Sequence, residues 1–219
     1  MTSKSRAVSS QGTHFYIENA AATLATTTIT GISKAAKAVV TFASHTFVKG
    51  SVIRFAAVVG MTEINGLEGI VEATTATTVT LANIDSTGFT TYGSAGTAAA
   101  LQFFETCQHK SYSGFDGQAS EIDTTTLCST AKEKSLGLQD FGGMSADLHY
   151  VEDDAFQIEA KVAKREALPR WFKLVKQNGY IKIFEGYVRS LSDSGAVDGT
   201  NAGTLAVTIT GEVYEVASA

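Results

Sequence analysis

The feature that most constrains this chain is a middle region built from short alternating segments and tight turn signals. Residues 30–100 are rich in Thr, Val, Ala and Gly, with period-two stretches such as KAVVTFASH and GSVIRFAAVVG. Such alternation is typical of strands that have one buried face. The region also contains Asn65-Gly66, and an Asn-Gly pair favours a two-residue type I′ hairpin because both turn positions need positive φ. The middle region is therefore predicted to be all β.

The rest of the chain is also predicted to be mainly β. It has one proline and 20 glycines in 219 residues, so its chain reversals depend on Gly, Asn and Asp, which suits hairpins. A second pair, Asn178-Gly179, lies between RWFKLVKQ and YIKIFEGYVRSL and predicts a hairpin with the same turn chemistry. Gly186 inside the return strand indicates a bulge. The segment TLAVTITGEVYEV predicts a long last strand.

The segment GQASEIDTTTL alternates clearly, yet neither face of the predicted strand is strongly apolar. One face carries Glu121 and Asp123, and the other carries Ser120 and Ile122. A strand of this kind either faces water or meets another subunit. After the turn signal DFGG, the segment MSADLHYV is predicted to be the next strand.

One helix is predicted, in EDDAFQIEAKVAKREA. Asp154 can cap its N-terminus, and Gln157 stands three residues later, as in a capping box. Four apolar residues recur on one face at helical spacing: Phe156, Ala160, Ala163 and Ala167. Acidic residues come first and basic residues last, which is the order that the helix dipole favours.

The charge balance argues against a nucleic-acid-binding protein. The chain has 17 Lys and Arg against 22 Asp and Glu, a net charge of −5, and lacks the basic field that nonspecific binding needs. No stretch approaches the ~20 apolar residues of a membrane span, and MTSKSRAVSSQG lacks the apolar core of a signal peptide. We therefore expect a soluble protein that is made in a cytoplasm and does not insert into membranes.

The sequence contains no recognisable catalytic, cofactor-binding or metal-binding motif. Its histidines lack zinc spacing and no nucleophile signature is present; they are His14, His45, His109 and His149. Cys107 and Cys128 are expected to be free thiols, with one bridge as the alternative. Acidic residues 152–154 fit a helix start and residues 193–201 fit a hairpin tip better than a calcium site, and Trp171 fits a core or interface position. We expect no enzyme, no cofactor and no site residues.

The C-terminal part of the chain resembles a known family of structural proteins. The stretch EIDTTTLCSTAKEKSLGLQDFGGMSADLHYVEDD, the helix, WFKLVKQNGYIKIFEGYVRSLSDSG and TLAVTITGEV are similar, in order and spacing, to tail tube (major tail) proteins of long, non-contractile-tailed bacteriophages. GTHFYIEN near the start resembles the first strand of that family. The resemblance implies a β-sandwich or barrel body with one flanking α-helix, in residues 13–30 and 100–219.

A second resemblance covers the middle region. GMTEING and the later DSTGFT resemble a small β-barrel module of phage structural proteins, similar to a ubiquitin-activating-enzyme half-domain. No ubiquitin chemistry is implied, because the region has no Cys and no nucleotide site. Residues 31–99, whose four basic and four acidic residues cancel, are thus predicted to be an inserted small all-β domain on the outer surface. Residues 1–12 are predicted to be a flexible arm.

The family resemblance implies a virion protein of the tail, made in the host bacterial cytoplasm. It implies hexameric rings that stack into a hollow tube around the tape measure protein, with tail initiator or distal tail and terminator proteins at its ends. DNA would pass through the tube without specific binding. Residues 101–219 carry 11 basic and 17 acidic residues, which predicts an acidic lumen. The alternative hypothesis is a virion-decorating or host-surface-binding β module.

Two further expectations concern the parts that flank or interrupt the predicted body. Deleting the arm, residues 1–12, is expected to leave a folded monomer that polymerises poorly. Replacing residues 34–98 with a short Gly-Ser linker is expected to leave a soluble protein that still forms tubes, because lengthening an exposed loop costs only ~0.6 kcal/mol per doubling.

Overall fold

The structure is a computed structural model that describes residues 9–217. Most of the predicted arm, residues 1–12, lies outside the described residues, and its flexibility stays a prediction. Within the described part, the fold is mainly β with a single α-helix, as the sequence predicted. The elements are β1 (His14–Glu18), β2 (Thr26–Ile32), β3 (Val39–Phe42), β4 (Val52–Ala56), β5 (Glu68–Thr74), β6 (Thr78–Leu81), β7 (Thr97–Ala100), β8 (Phe103–Thr106), β9 (His109–Gly114), β10 (Gln118–Asp123), β11 (Lys134–Asp140), β12 (Gly143–His149), α1 (Ala155–Glu166), β13 (Arg170–Val175), β14 (Tyr180–Leu191) and β15 (Ala202–Ala217).

The strands form an open sheet, a closed barrel and a separate hairpin. The open sheet has the order β8-β1-β13-β14-β15-β12-β9, so its first and last strands are edges. The barrel has the order β2-β3-β6-β5-β4-β7 and closes through the pairing of β2 with β7. The remaining strands, β10 and β11, form a two-stranded antiparallel sheet.

The closed barrel is formed by the middle region that the alternating pattern identified. Along β4, Ile53 and Phe55 join the buried interior cluster while Arg54 points outward. The interior is filled by apolar side chains from all six strands and their connections. The barrel begins at Thr26 and ends at Ala100, whereas the sequence predicted an insert over residues 31–99. The difference arises because Thr26 pairs with Ala99, so closure requires a strand that the prediction assigned to the body.

The Asn65-Gly66 pair does not form the predicted type I′ turn. Strands β4 and β5 do pair, but a 3-10 helix, Thr62–Ile64, lies between them. Asn65 has φ −65° and ψ 128°, and Gly66 has φ 82°. Leu67 N donates to Ile64 O at 3.0 Å. These angles and this bond define a type II turn, in which only the Gly needs positive φ.

The Asn178-Gly179 pair connects β13 and β14, as predicted, but also through a different turn. Gly179 N donates to Lys176 O at 2.9 Å, and Lys176 N donates to Tyr180 O at 2.9 Å. Gly179 has φ 80°, and Asn178 does not have positive φ. The loop is thus a type I turn followed by a left-handed Gly, the G1-bulge form of a three-residue hairpin. The extra loop residue removes the need for positive φ at Asn178.

Helix α1 begins where the capping residues predicted. The Asp154 side chain accepts a hydrogen bond from Gln157 N at 2.9 Å. The Gln157 side chain does not complete a reciprocal capping box, because its Oε1 accepts from Val151 N at 3.1 Å and its Nε2 donates to His149 O at 2.9 Å. Ala167, predicted on the helix face, is instead the C-cap with φ 53°.

The described chain divides into two compact units. The first contains residues up to Glu105, Trp171–Ile183 and the end of β15 from Tyr214. The second contains Thr106–Arg170 and Phe184–Val213. The barrel therefore belongs to the same unit as β1 and most of β13, and α1 belongs to the same unit as β9, β12 and the β10–β11 hairpin.

In the first unit, the barrel shares a hydrophobic core with strands of the open sheet. Val52 and Ile70, on the barrel, cluster with Trp171, Ile181 and Ile183, on the sheet, and all five are buried. The barrel and these strands thus bury apolar surface of one another. Each Å² of apolar surface removed from water stabilises the fold by ~25 cal/mol.

A polar cluster borders this shared core. Arg54 Nε donates to Glu68 Oε1 at 2.8 Å, and the Arg54 guanidinium also reaches Glu18 at 3.4 Å. Trp171 completes the cluster, since its indole N–H donates to Glu68 and its backbone N–H donates to Glu18 at 3.2 Å. Trp171 is buried, in agreement with the expected core or interface position. The carboxylates of Glu18 and Glu68 are therefore each bonded to groups from both the barrel and the sheet.

A buried ion pair follows α1 in the second unit. Arg170, only 6% exposed, donates to Glu159 Oε1 at 3.0 Å and to Glu166 Oε2 at 2.6 Å. Burial opposes the charge of Arg170, but the hydrogen bonds to Glu159 and Glu166 outweigh it and raise the pKa of the guanidinium. Removing Arg170 would leave the buried Glu159 carboxylate without this partner, which is destabilising.

Candidate assembly surface

The β10–β11 hairpin lacks a buried face. Gln118 pairs with Asp140 and Ile122 pairs with Ser135, yet every strand residue except Ala119 and Gly137 is exposed or nearly so. An isolated two-stranded sheet is marginally stable at best in water, because nothing covers its apolar side chains. This hairpin therefore exposes a surface that another protein surface could cover.

Large apolar side chains lie on both faces and at the tip of this hairpin. Leu136 and Leu138, two residues apart, lie on the same face and are 72% and 92% exposed. Ile122 lies on the other face, and Leu127, in the tip, is fully exposed. Single exposed apolar residues are ordinary, but their concentration in one element makes this hairpin a candidate interaction surface. We call Ile122, Leu127, Leu136 and Leu138 the hairpin surface.

Sequence reasoning found β10 but missed β11. The sequence predicted MSADLHYV as the next strand after β10, whereas β11 lies between them in the chain. MSADLHYV forms β12, which pairs with β9 and β15. The missed strand is KSLGLQD, where Leu136 and Leu138 alternate with smaller or polar residues. That alternation was the available signal, and Gly137 between the two leucines weakened it.

The backbone at the base of the hairpin uses the left-handed region three times. Gly114, Phe115 and Gly142 have φ of 114°, 63° and 73°. A Cβ at Gly114 would stand 2.2 Å from Gly143 O, so the close approach admits only Gly there. Phe115 has a side chain that packs edge-on against Phe184, with ring centroids 5.2 Å apart. This packing compensates for the unfavourable φ of Phe115 at the base of the hairpin.

The histidines that the sequence raised as candidates lie on separate elements. His14 pairs with Glu105, His45 Nδ1 accepts from Phe47 N at 3.2 Å, and His149 Nδ1 contacts Thr200 Oγ1 at 3.2 Å. His109 Nδ1 lies 3.2 Å from Thr106 O. Among residues 9–217, no three His, Cys, Asp or Glu side chains form a group that could hold a metal ion.

The other candidates from the sequence are the two cysteines, the acidic run 152–154 and the loop 193–201. Cys107 and Cys128 form no disulfide and both are exposed, although Cys outside disulfides is usually buried. In the acidic run 152–154, Asp154 serves as the helix cap. The loop 193–201 is closed by paired backbone bonds of 2.8 Å between Ser194 and Ala202, as at a hairpin tip. Across the described residues, no helix has the length and apolar content to cross a bilayer.

Comparisons with known proteins add a structural likeness. No protein-family model matches the chain, and no curated protein matches it. The chain is similar to a chain in a solved structure described as "tail of empty GTA particle computed with helical refinement, C6 symmetry", at 18% sequence identity and a TM-score of 0.45. The alignment covers 53% of this chain and 87% of that chain.

Proposed function

We propose that this protein is a self-assembling structural subunit of a bacteriophage tail, specifically a tail tube protein that forms stacked hexameric rings. The ordered resemblance of the C-terminal segments to tail tube proteins supports the proposal. The proposal places the protein in the virion, with the tape measure protein, the tail initiator and terminator proteins and passing DNA as partners. It assigns no catalytic step and no cofactor to the chain.

The observation that carries the proposal is the exposed hairpin surface. Burying a Leu side chain in a contact contributes ~1.5–3 kcal/mol, and Leu136 and Leu138 are largely exposed in the single subunit. A two-stranded sheet also gains stability when a further surface covers it. The hairpin surface therefore favours association over a solitary state.

A second copy of this chain is the partner that the proposal assigns to this surface. The open sheet ends in β9, an edge strand whose outer backbone groups can pair with another strand. When a hairpin contacts a different surface of the next copy, the contact is head-to-tail, and such contacts generate closed rings or open filaments. Rings that stack into a tube combine both outcomes.

The experiment is electron microscopy and sedimentation of the purified full-length protein. We expect rings or hollow striated tubes from the native chain. The double variant Leu136→Ser/Leu138→Ser should remain folded by circular dichroism, and the concentration needed for assembly should rise at least ~100-fold if each leucine contributes ~1.5 kcal/mol.

A matched control changes two exposed apolar residues of the barrel. Val48 and Val59 are 63% and 54% exposed, and Val48→Ser/Val59→Ser should leave assembly unchanged. Normal assembly by the leucine variant would contradict the role of the hairpin surface. Discrete particles from the native chain under all conditions, including with tail initiator proteins, would contradict the tube proposal and favour a decorating or host-binding module.

A further inference from the structure

We propose that Asn178 is a site of spontaneous deamidation, and that Asn65 is protected from the same reaction by its side-chain hydrogen bonds. These are the two Asn residues that precede Gly in the sequence. The two pairs have the same local chemistry and different surroundings. They therefore form a natural comparison within one chain.

The reaction needs only the Asn-Gly pair and water. The Gly backbone N–H loses its proton, and the nitrogen attacks Cγ of the preceding Asn. The N–Cγ bond forms, the Cγ–Nδ2 bond breaks, and ammonia leaves with the proton, which gives a cyclic succinimide. Water then opens the ring at either carbonyl and produces Asp or isoaspartate. Gly favours the attack because it has no Cβ to hinder the approach.

The attacking nitrogens are in matched situations. Gly66 N donates to Phe55 O at 2.9 Å, and Gly179 N donates to Lys176 O at 2.9 Å. The two glycines have φ of 82° and 80°. The hydrogen bonds and φ angles of the two attacking Gly nitrogens therefore give no reason for the two sites to react at different rates.

The two Asn side chains differ in how they are held. Asn65 Oδ1 accepts from Val58 N at 2.8 Å and Asn65 Nδ2 donates to Val58 O at 2.9 Å. Val58 belongs to the buried core of the barrel. Turning the Asn65 side chain toward Gly66 N would break both bonds and leave the Val58 backbone groups without these partners, which is costly for buried polar groups.

Asn178 is held weakly by comparison. Its Oδ1 accepts from Tyr180 N at 3.3 Å, near the long limit for a hydrogen bond. No hydrogen-bond acceptor for its Nδ2 is found within residues 9–217. Asn65 and Asn178 are both exposed, so exposure does not distinguish them, but Asn178 lacks bonds like those that tie Asn65 to the buried Val58. The side chain can therefore rotate toward Gly179 N without disturbing the core.

The test is ageing of the folded full-length protein at mildly alkaline pH, followed by peptide mapping with mass spectrometry that separates Asp from isoaspartate. We expect Asn178 to convert at least ~10-fold faster than Asn65, since two good hydrogen bonds each contribute ~1 kcal/mol. Asn178→Ser should abolish the major product.

The same measurement on the chain unfolded in urea separates structure from sequence. There the two rates should converge, because neither side chain keeps its native bonds. Equal rates in the folded protein, or faster conversion of Asn65, would overturn the proposal. It would also be overturned if the unfolded chain deamidates at both sites while the folded chain shows no conversion at Asn178.

Discussion

The six-stranded barrel and the β10–β11 hairpin are both antiparallel, yet they differ in whether their strand edges and apolar side chains are exposed. The barrel closes on itself, fills its interior with apolar residues and shares a second core with the open sheet. The hairpin exposes apolar side chains on both faces. A closed barrel has no free edge that could pair with a neighbour. A two-stranded sheet, by contrast, is marginally stable unless a further surface covers it. The barrel therefore buries its apolar side chains within the subunit, whereas the hairpin leaves its apolar side chains exposed.

Removing each region in turn gives the largest expected contrast. Replacing residues 34–98 with a Gly-Ser linker should yield an insoluble or non-cooperatively melting protein, because Trp171, Ile181 and Ile183 would lose Val52 and Ile70 from their core. This outcome is the reverse of the one that the sequence alone predicts. Solubility and thermal melting followed by circular dichroism are the measurements.

The matched control replaces residues 119–139 with a short linker. Because this hairpin has no buried face, the protein should stay soluble and melt close to the native temperature, but should fail to assemble. A cooperative melt of the chain without its barrel would show that the shared core contributes little to folding.

Single truncations should show the same contrast at smaller scale. Phe55→Ala empties a fully buried position in the barrel and should lower the free energy of unfolding by ~3–5 kcal/mol. Leu138→Ala changes a side chain that is 92% exposed and should change it by less than ~0.5 kcal/mol. Urea denaturation of the unassembled protein measures both, and similar losses would mean that the hairpin is part of the subunit core.

The smallest effect concerns pH. The Thr90 hydroxyl and backbone N–H donate to Glu63 in the barrel and hold the pKa of that carboxyl below its ordinary value. Thr125 does the same for the pKa of Asp123 on the hairpin. A folded-state pKa below the unfolded value gives stability that is present above the unfolded pKa and is lost as pH falls through the folded pKa.

Acidification should therefore lower the melting temperature slightly, and Thr90→Val should reduce this pH dependence. Thr125→Val should leave it unchanged, since the hairpin tip contributes little to global unfolding. Melting temperature against pH for the two variants is the measurement. An equal effect of both would indicate that the tip unfolds with the rest of the subunit.

Much of the secondary structure could be predicted because its signals are local. Alternation identified the barrel strands, and Asp154 located the start of α1. The segment that became β11 escaped because its leucines flank Gly137 and face solvent. A strand with one buried face shows a clear alternation of apolar and polar residues, but β11 has no buried face.

The sequence by itself determined that the chain is mainly β, that one helix follows Asp154, and that Asn-Gly pairs connect neighbouring strands. Each of these depends on residues close together in the chain. Only the tertiary structure decided that β2 belongs to the barrel, because Thr26 must find Ala99 across the fold. It also decided the turn types, since the loop length between paired strands sets which residue needs positive φ. Pairing between distant strands thus selects one of several local conformations that the sequence alone does not distinguish.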